Sequence, residues 1–326
     1  MDLRLGDVAM YPEDLEHPLS RGDLSLLGIG WREIAGPLWR APFRGVHVWS
    51  GTNAALPRQR ALDAAALLPA GGAVGGWAAA YLAGVTELDG MVGETSEPVP
   101  LCLRPEQRRR RGTAVAVWRS VLLPEDISRV DGISVTTPVR TGFDIARRSP
   151  LYRAVAVLDL LGRGRPDYFE SVRAYARDRP RWRGVPTVHQ ALNLASPLTR
   201  SVPETAFRLF WELECRLPTP QVNPLIRRAD GRLLGIGDLL DPSSGLLGEY
   251  DGRYHRAEEQ HALDNAREEA FEDCGLTVVR VGARDLGGSR LRTLYRMRAG
   301  LARARRAPRG SWTWEPGPLP PPVPHW

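Results

Sequence analysis

The sequence predicts an α/β protein in which residues 200–290 run in the order αβββαβ, behind a mixed α+β N-terminal and middle region. Three observations carry this. Asp230-Gly231, a strong two-residue hairpin signal, separates two strand-like stretches, Gln221 to Arg228 and Arg232 to Leu240. A helical stretch, Glu258 to Asp273, stops near Gly275 and gives way to Leu276-Thr-Val-Val-Arg-Val281, the largely apolar run of a buried strand. The charge also changes sign in steps. Residues 1–100 hold 7 arginines against 12 acids, 101–199 hold 18 against 9, 200–290 hold 12 against 16, and 291–326 hold 7 against 1. The steps divide the chain into a small α+β region (1–100), basic strands followed by helices (101–199), the αβββαβ region (200–290), and a basic helix with a disordered Pro/Trp-rich tail (291–326).

Taken in order, the first 20 residues read as a loose lead-in. Arg44 to Trp49 reads as a strand, and Leu56 to Leu68 and Gly75 to Ala83 as helices broken by Pro69 and Gly71-Gly72. This part is short for a winged helix and shows no clear helix-turn-helix. Val99 to Leu103 and Thr113 to Leu122 read as strands, Pro100 making the first an edge strand at best. Gly132 to Thr136 is a further strand, followed by helices over 137–148, 151–161, 167–177 and 187–194. Ser201 to Leu217 is a helix with Ser201 as N-cap and Pro203 in its first turn. After the hairpin, Asp241-Pro-Ser-Ser-Gly245 turns again and Leu246 to Asp251 forms the third strand. Ala307 to Trp326, with Trp312, Trp314 and seven prolines, reads as an extended tail able to dock on a protein partner or simply to hang free.

Composition excludes several chemistries. The 326 residues contain no lysine, so all 44 basic side chains are arginine, as in a GC-rich genome. Without lysine there is neither a Walker-type phosphate loop nor Schiff-base chemistry. Cys102, Cys215 and Cys274 are odd in number and widely spaced, which argues against disulfides and points to a reducing cytoplasm. The acidic start lacks the apolar core of a signal peptide. The longest uncharged run, Ala64 to Thr86, is too rich in Gly and Ala for a membrane span and reads as a buried helix pair.

The acidic segment between two basic ones suits a phosphodiesterase: carboxylates to hold a metal, arginines to hold a polyanion. Asp238 falls on the second strand, and Glu249 and Asp251 on the third, two apart and so on one face. Carboxylates facing one another across adjacent strands repel unless a cation lies between them, and Mg²⁺ or Mn²⁺ takes such oxygens. Glu204 completes a Ser201-Val-Pro-Glu204 capping box, which accounts for it locally, yet it shares the helix face of Phe207 and Trp211 and can reach a site between helix and sheet. His255 and Arg267 taken singly are a surface histidine and a helix-pair residue. The Arg104-Pro-Glu-Gln-Arg-Arg-Arg-Arg111 loop, with Arg104, Arg108, Arg109, Arg110 and Arg111, either clamps phosphates or is a solvated hairpin tip.

With these residues in view, 201–286 resemble an endonuclease-like domain of unknown function, distantly related to the very-short-patch mismatch-repair endonucleases of the PD-(D/E)XK superfamily. The resemblance rests on Glu204, Gly237-Asp238-Leu239, Glu249-Tyr-Asp-Gly252, His255, Asp264-Asn-Ala-Arg267 and Val279-Arg-Val281. The front half, through Phe43-Arg-Gly-Val-His-Val48, Gly76-Trp-Ala-Ala79 and Val135-Thr-Thr-Pro-Val-Arg-Thr141 with Phe143-Asp144, is similar to abortive-infection antitoxin-like proteins of actinobacteria. The resemblance implies a restriction-endonuclease-like fold and a metal-dependent DNA endonuclease or nickase. Asp238 and Asp251 would hold metal with Glu249 assisting, His255 would serve as general base, and Arg267 would stabilise the phosphate. The superfamily's third strand reads acidic-x-lysine; here Asp251 occupies the lysine position, as in the mismatch-repair relatives, which use an aspartate and a histidine instead. The other reading is a non-catalytic, antitoxin-like DNA-binding regulator that retains a nuclease fold.

Overall fold

The computed structural model describes residues 16–107, 113–252, 267–288, 290–308 and 310–323, with strand backbone at 3–5 and 8–10. The protein is of the α/β class, with helices and strands in several mixed and antiparallel sheets. Among the described residues no helix is long and apolar enough to cross a membrane. The chain forms two compact units, Met1–Ile145 with Val323–Trp326, and Ala146–Pro322. Their boundary does not fall at the charge steps near 100 and 199.

In the first unit, β1 (Leu3–Leu5) and β2 (Val8–Met10) pair antiparallel where a loose lead-in was expected. Then β3 (Leu19–Ser20), α1 (Arg21–Leu26), α2 (Trp31–Ile34), β4 (Trp39–Phe43) and β5 (Val46–Trp49) form a strand–helix–turn–helix–hairpin unit, its strands ordered β3-β5-β4. The two helices span six and four residues. A capping box starts α1: the Ser20 hydroxyl accepts from the Asp23 amide, and the Asp23 carboxylate from the Ser20 amide. Gly28, at φ +77, turns the chain toward α2, and Leu24, Ile29, Ile34 and Trp39 form the local core.

The helix pair read from the uncharged run is α3 (Pro57–Ala65) and α4 (Gly76–Leu82). It packs on a five-stranded sheet whose core includes Ala61, Ala78, Leu82, Leu101, Val115 and Val135. The strands are β6 (Ala73–Val74), β9 (Val99–Leu103), β10 (Val115–Arg119), β11 (Ile127–Val130) and β12 (Ile133–Thr136), ordered β10-β9-β6-β12-β11; β7 (Met91–Val92) and β8 (Thr95–Ser96) form a separate hairpin. The edge placement expected of Val99–Leu103 is wrong, because β9 lies inside the sheet and is buried throughout. Pro100 is tolerated because its partner strand leaves the ladder there. The Pro100 carbonyl accepts from the Gly75 amide, while the Gly75 carbonyl is taken by Ala79 at the start of α4, so no ladder bond awaits the missing N–H. β9 and β10 also run parallel, so they are not the two arms of a hairpin.

α5 (Pro138–Ala146) closes this region. In the second unit α6 (Leu151–Gly162), α7 (Pro166–Arg177) and α8 (Val185–Leu194) lie close to their expected positions. α9 (Val202–Leu209) passes into a π-helical turn, Phe210–Glu214. Buried Asp159 of α6 anchors α9: its Oδ2 accepts from Arg208 at 2.9 Å and Thr205 at 2.8 Å, and its Oδ1 from the Ser196 amide at 2.7 Å. Burial raises the proton affinity of Asp159, while Arg208 opposes the shift.

Beyond α9 the two expected long strands are each broken. Gln221 to Arg228 becomes β13 (Gln221–Val222) and β14 (Leu225–Arg228), and Arg232 to Leu240 becomes β15 (Leu233–Ile236) and β16 (Leu239–Asp241). The breaks fall at Asn223-Pro224, with Asn223 at φ +50, and at Gly237-Asp238. They let one hairpin serve two sheets, β13-β16-β17-β18 and β15-β14-β19, where β17 is Leu246–Asp251, β18 is Thr277–Gly282 and β19 is Trp312–Glu315. Residues 267–273 are helical (α10), followed after β18 by α11 (Ala283–Gly287) and α12 (Arg290–Ala304). β17 and β18 are parallel, and among the described residues β18 is the sheet's edge. The tail read as disordered instead supplies β19, antiparallel to β14. Its alternating Trp312 and Trp314 pack against Ile226, Leu240, Leu247, Phe271 and Leu276, so the indoles cover this chain's own sheet. The opposite sheet face buries Leu239, Leu246, Val279 and Val281 with Phe207, Phe210, Trp211 and Met297.

Candidate functional site

The local reason for a site is the pair of bends. Gly237 leaves room for Leu247, whose Cδ1 would lie 2.5 Å from a Cβ there and would have to move. The bends are stitched to each other: the Asn223 amide donates to the Asp238 carbonyl at 2.9 Å, and the Gly237 amide to the Pro224 carbonyl at 3.1 Å. Asp238 therefore sits at a bend just before β16 and not within a strand, a correction to the sequence reading. From the bend its carboxylate folds back over β17 and accepts from the Tyr250 amide at 2.6 Å.

Glu249 follows Gly248, whose Cβ position would fall 2.7 Å from Phe207, on the helix-covered face of the sheet. By strand alternation Glu249 points the other way, with Leu247. It is buried, at 8% exposure. Its Oε1 accepts from the Asp238 amide at 3.4 Å, and its Oε2 from Arg267 of α10 at 2.8 Å. Gly235, at φ +152, makes room for that arginine, since a Cβ would meet Arg267 Cδ at 3.0 Å.

The two carboxyls titrate above the ordinary carboxylate range. Glu249 is pushed up to about 8, first by burial, then by the Asp238 charge, against the pull of Arg267. Asp238 is pushed up to about 6, again first by burial, with the Tyr250 amide opposing and Glu204 adding repulsion. The pair is thus a proton-hungry pocket with one guanidinium against it.

The other expected residues are distributed unevenly. The expected capping box does not close: the Glu204 carboxylate accepts from the Ser201 hydroxyl at 3.0 Å and the Arg200 amide at 3.0 Å, not from the Ser201 amide, though it stays at the helix start. It also accepts from Asn223 Nδ2 at 3.3 Å, which ties the cap to the bends. Asp251 ends β17, partly buried, opposite Gly282 of β18, and its charge helps raise the Tyr250 hydroxyl's proton affinity after burial. Among the described residues no three His, Cys, Asp or Glu side chains form a metal-holding group, so Asp251 does not complete one with Asp238 and Glu249. His255, Asp264 and Arg108 to Arg111 lie outside the described residues. Arg104 is described: its amide donates to Gln107 Oε1, and its guanidinium lies beside Gly71. Sequence reasoning missed Asn223, Gly235 and Gly237 as positioning residues. The Asn-Pro dipeptide and the Gly-x-Gly within a strand pattern were the available signals.

No family model matches the chain. A crystal structure of the RV2827C protein from Mycobacterium tuberculosis aligns with 54% of this chain and 71% of its own, at 17% identity and a TM-score of 0.37, too distant to support a shared fold. Over 269 residues, 80% of this chain and 94% of the relative, the sequence is 29% identical to the uncharacterized protein MT2308 of Mycobacterium tuberculosis (strain CDC 1551 / Oshkosh), and likewise to the uncharacterized protein Rv2248 of strain ATCC 25618 / H37Rv. An alignment of that length exceeds either compact unit, so the similarity to these mycobacterial proteins runs through both.

Proposed function

We propose that residues 200–290 form a restriction-endonuclease-like domain that acts as a Mg²⁺- or Mn²⁺-dependent DNA endonuclease or nickase. The observation that carries this is the carboxyl pair Asp238 and Glu249, held side by side by two bends next to Arg267. The donor set fits a hard cation, because Mg²⁺ is commonly held by one or two carboxylates and otherwise keeps its waters. Asp238 and Glu249 would hold the ion; Asp251, at the strand end, does not complete a three-carboxylate group with them. A bound Mg²⁺ or Mn²⁺ supplies charge neutralisation and an acidified water. The chain's own residues do the rest. Arg267, already beside Glu249, offers its guanidinium to a phosphate. His255 is assigned the proton from the attacking water, a task suited to imidazole near neutral pH. Glu204 stays at the start of α9 and holds Asn223 at the bend. Arg104 and Arg108 to Arg111 contribute phosphate contacts. Three free, buried cysteines suit a reducing cytoplasm.

The test is cleavage by the full chain of supercoiled plasmid, single-stranded DNA and RNA, with Mg²⁺, Mn²⁺ or chelator. The expected result is metal-dependent nicking of the plasmid that Asp238→Asn abolishes. No cleavage of any nucleic acid overturns the enzymatic reading. The second reading is a non-catalytic, antitoxin-like DNA-binding regulator. It is favoured by the strand–helix–turn–helix–hairpin order of residues 19–49. It predicts DNA binding indifferent to chelator and to Asp238→Asn.

A further inference from the structure

A dense positive stretch lies at the end of α7 and in the turn to α8. From Arg173 to Arg183 the chain holds five arginines against one acid, Asp178. Arg173 is engaged with Asn193 and the Leu192 carbonyl of α8. Arg177, Arg181 and Arg183 are exposed, at the end of α7 and in the turn to α8. A last-turn arginine complements a helix C-terminus, which accounts for Arg177 but not for those beyond it.

The turn is held firmly. Gly184 adopts φ +86 directly against the backbone of Arg147, where a Cβ would lie 1.9 Å from the Arg147 carbonyl oxygen. Arg147 donates to the Arg183 carbonyl at 3.4 Å and lies 5.1 Å over the Trp182 ring. Arg179 stacks 3.5 Å above Tyr175 and donates to the Tyr175 carbonyl at 3.2 Å. The Trp182 amide donates back to the Arg179 carbonyl at 3.0 Å. A guanidinium stacked on an aromatic ring loses less freedom when it meets a further acceptor. Like charges ordered this closely repel one another, and a polyanion relieves that repulsion.

We propose that the α7–α8 turn, with Arg147, is a phosphate-holding surface that grips the backbone of duplex DNA and so anchors the substrate of the unit carrying Asp238 and Glu249. The proposal rests on the nucleic-acid reading above. The surface and the carboxyl pair belong to one compact unit, connected through α7 on α8, α8 on α6 and α6 on α9. With its aromatic faces taken up by arginines, the surface reads no sequence; its contribution is affinity and register on the duplex.

The test is anisotropy of a fluorescent 20-base-pair duplex with the full chain in chelator, over a salt series, for wild type and two triple variants. The Arg177→Ser, Arg181→Ser, Arg183→Ser protein should bind at least about tenfold more weakly at 100 mM salt, with the log–log salt slope flatter by roughly two to three units. The triple lysine variant should keep most of the slope, separating charge from fold. Poly-glutamate at equal charge should compete poorly, because a duplex carries its charge at higher linear density, one per about 1.7 Å of axis. A triple-serine variant that binds with wild-type affinity and slope overturns this surface and leaves the nuclease reading standing. A wild type that binds no duplex, or binds it no better than poly-glutamate, overturns both the surface and the DNA reading.

Discussion

Glu249→Gln isolates the energetic character of the carboxyl pair. In the unfolded chain Glu249 ionises in the ordinary range near 4.5; in the folded protein burial and Asp238 keep its proton until about 8. Between those values unfolding releases a proton, so rising pH favours the unfolded state. The stability the group contributes is complete below about 4.5 and is lost as pH rises through 8. One proton corresponds to about 1.4 kcal/mol per pH unit, so the whole window is worth at most about 5 kcal/mol. Asp238 shares the proton, and half to three-quarters of that, roughly 2–4 kcal/mol, is the expected size. Glutamine preserves shape, can still accept from Arg267 or from the Asp238 amide through its one oxygen, and has no proton to release. Calorimetric unfolding in chelator at pH 5, 6.5 and 8 should therefore show a variant equal to or slightly less stable than wild type at pH 5 and more stable at pH 8. The difference should grow by about 2–4 kcal/mol across the series. Parallel stability curves, or a variant that is the weaker protein at pH 8, would refute the reasoning, because Glu249 would then be ionised and well paired throughout.

The same titration governs metal binding: Mg²⁺ must displace protons from the pair, so affinity should climb with pH and level off above about 8, with proton release seen by calorimetry in two buffers, and Asp238→Asn should lose the heat. Gly237→Ala should destabilise by about 1–3 kcal/mol, because its methyl meets Leu247 Cδ1 at 2.5 Å, and the cost should be subadditive with Leu247→Ala in a double-mutant cycle. Arg208→Ala should cost about 3–5 kcal/mol at pH 7 by stranding buried Asp159, and part of the loss should return on acidification as Asp159 takes up a proton. Deleting residues 310–326 should lower the melting temperature by exposing Ile226, Leu240 and Leu247; unchanged melting would restore the floppy-tail reading.

Local chemistry explains which parts of the architecture were readable without coordinates. Ser201 caps α9, Gly231 turns the hairpin at φ +90, and Gly245 and Gly275 end their segments at φ +79 and +89. Each of these is decided by a few neighbouring atoms, so the residue types announce it. The same holds for the carboxylates: Asp238 and Glu249 were named from spacing, and the fold brings them together.

Other features depend on contacts remote in sequence. Whether Pro100 sits at an edge is decided by what the partner strand does at Gly75, and whether β9 and β10 run parallel is decided by how the strands pack. Trp312 and Trp314 read as tail because their partner, β14, lies about eighty residues earlier. The continuous strands over 221–228 and 232–240 follow from their apolar pattern alone. The breaks at Asn223 and Gly237 go with the two-sheet arrangement, in which Leu247 packs close to Gly237 and Asn223 takes a left-handed conformation. Sequence alone thus determined the α/β class, the helix starts and turns, and the nomination of Asp238 and Glu249. Only the tertiary structure decided that Asp238 stands on a bend, that Glu249 is buried against it with Arg267, and that Glu204 stays at the helix start. Burial and long-range packing set those outcomes, and neither is a property of any short stretch of chain.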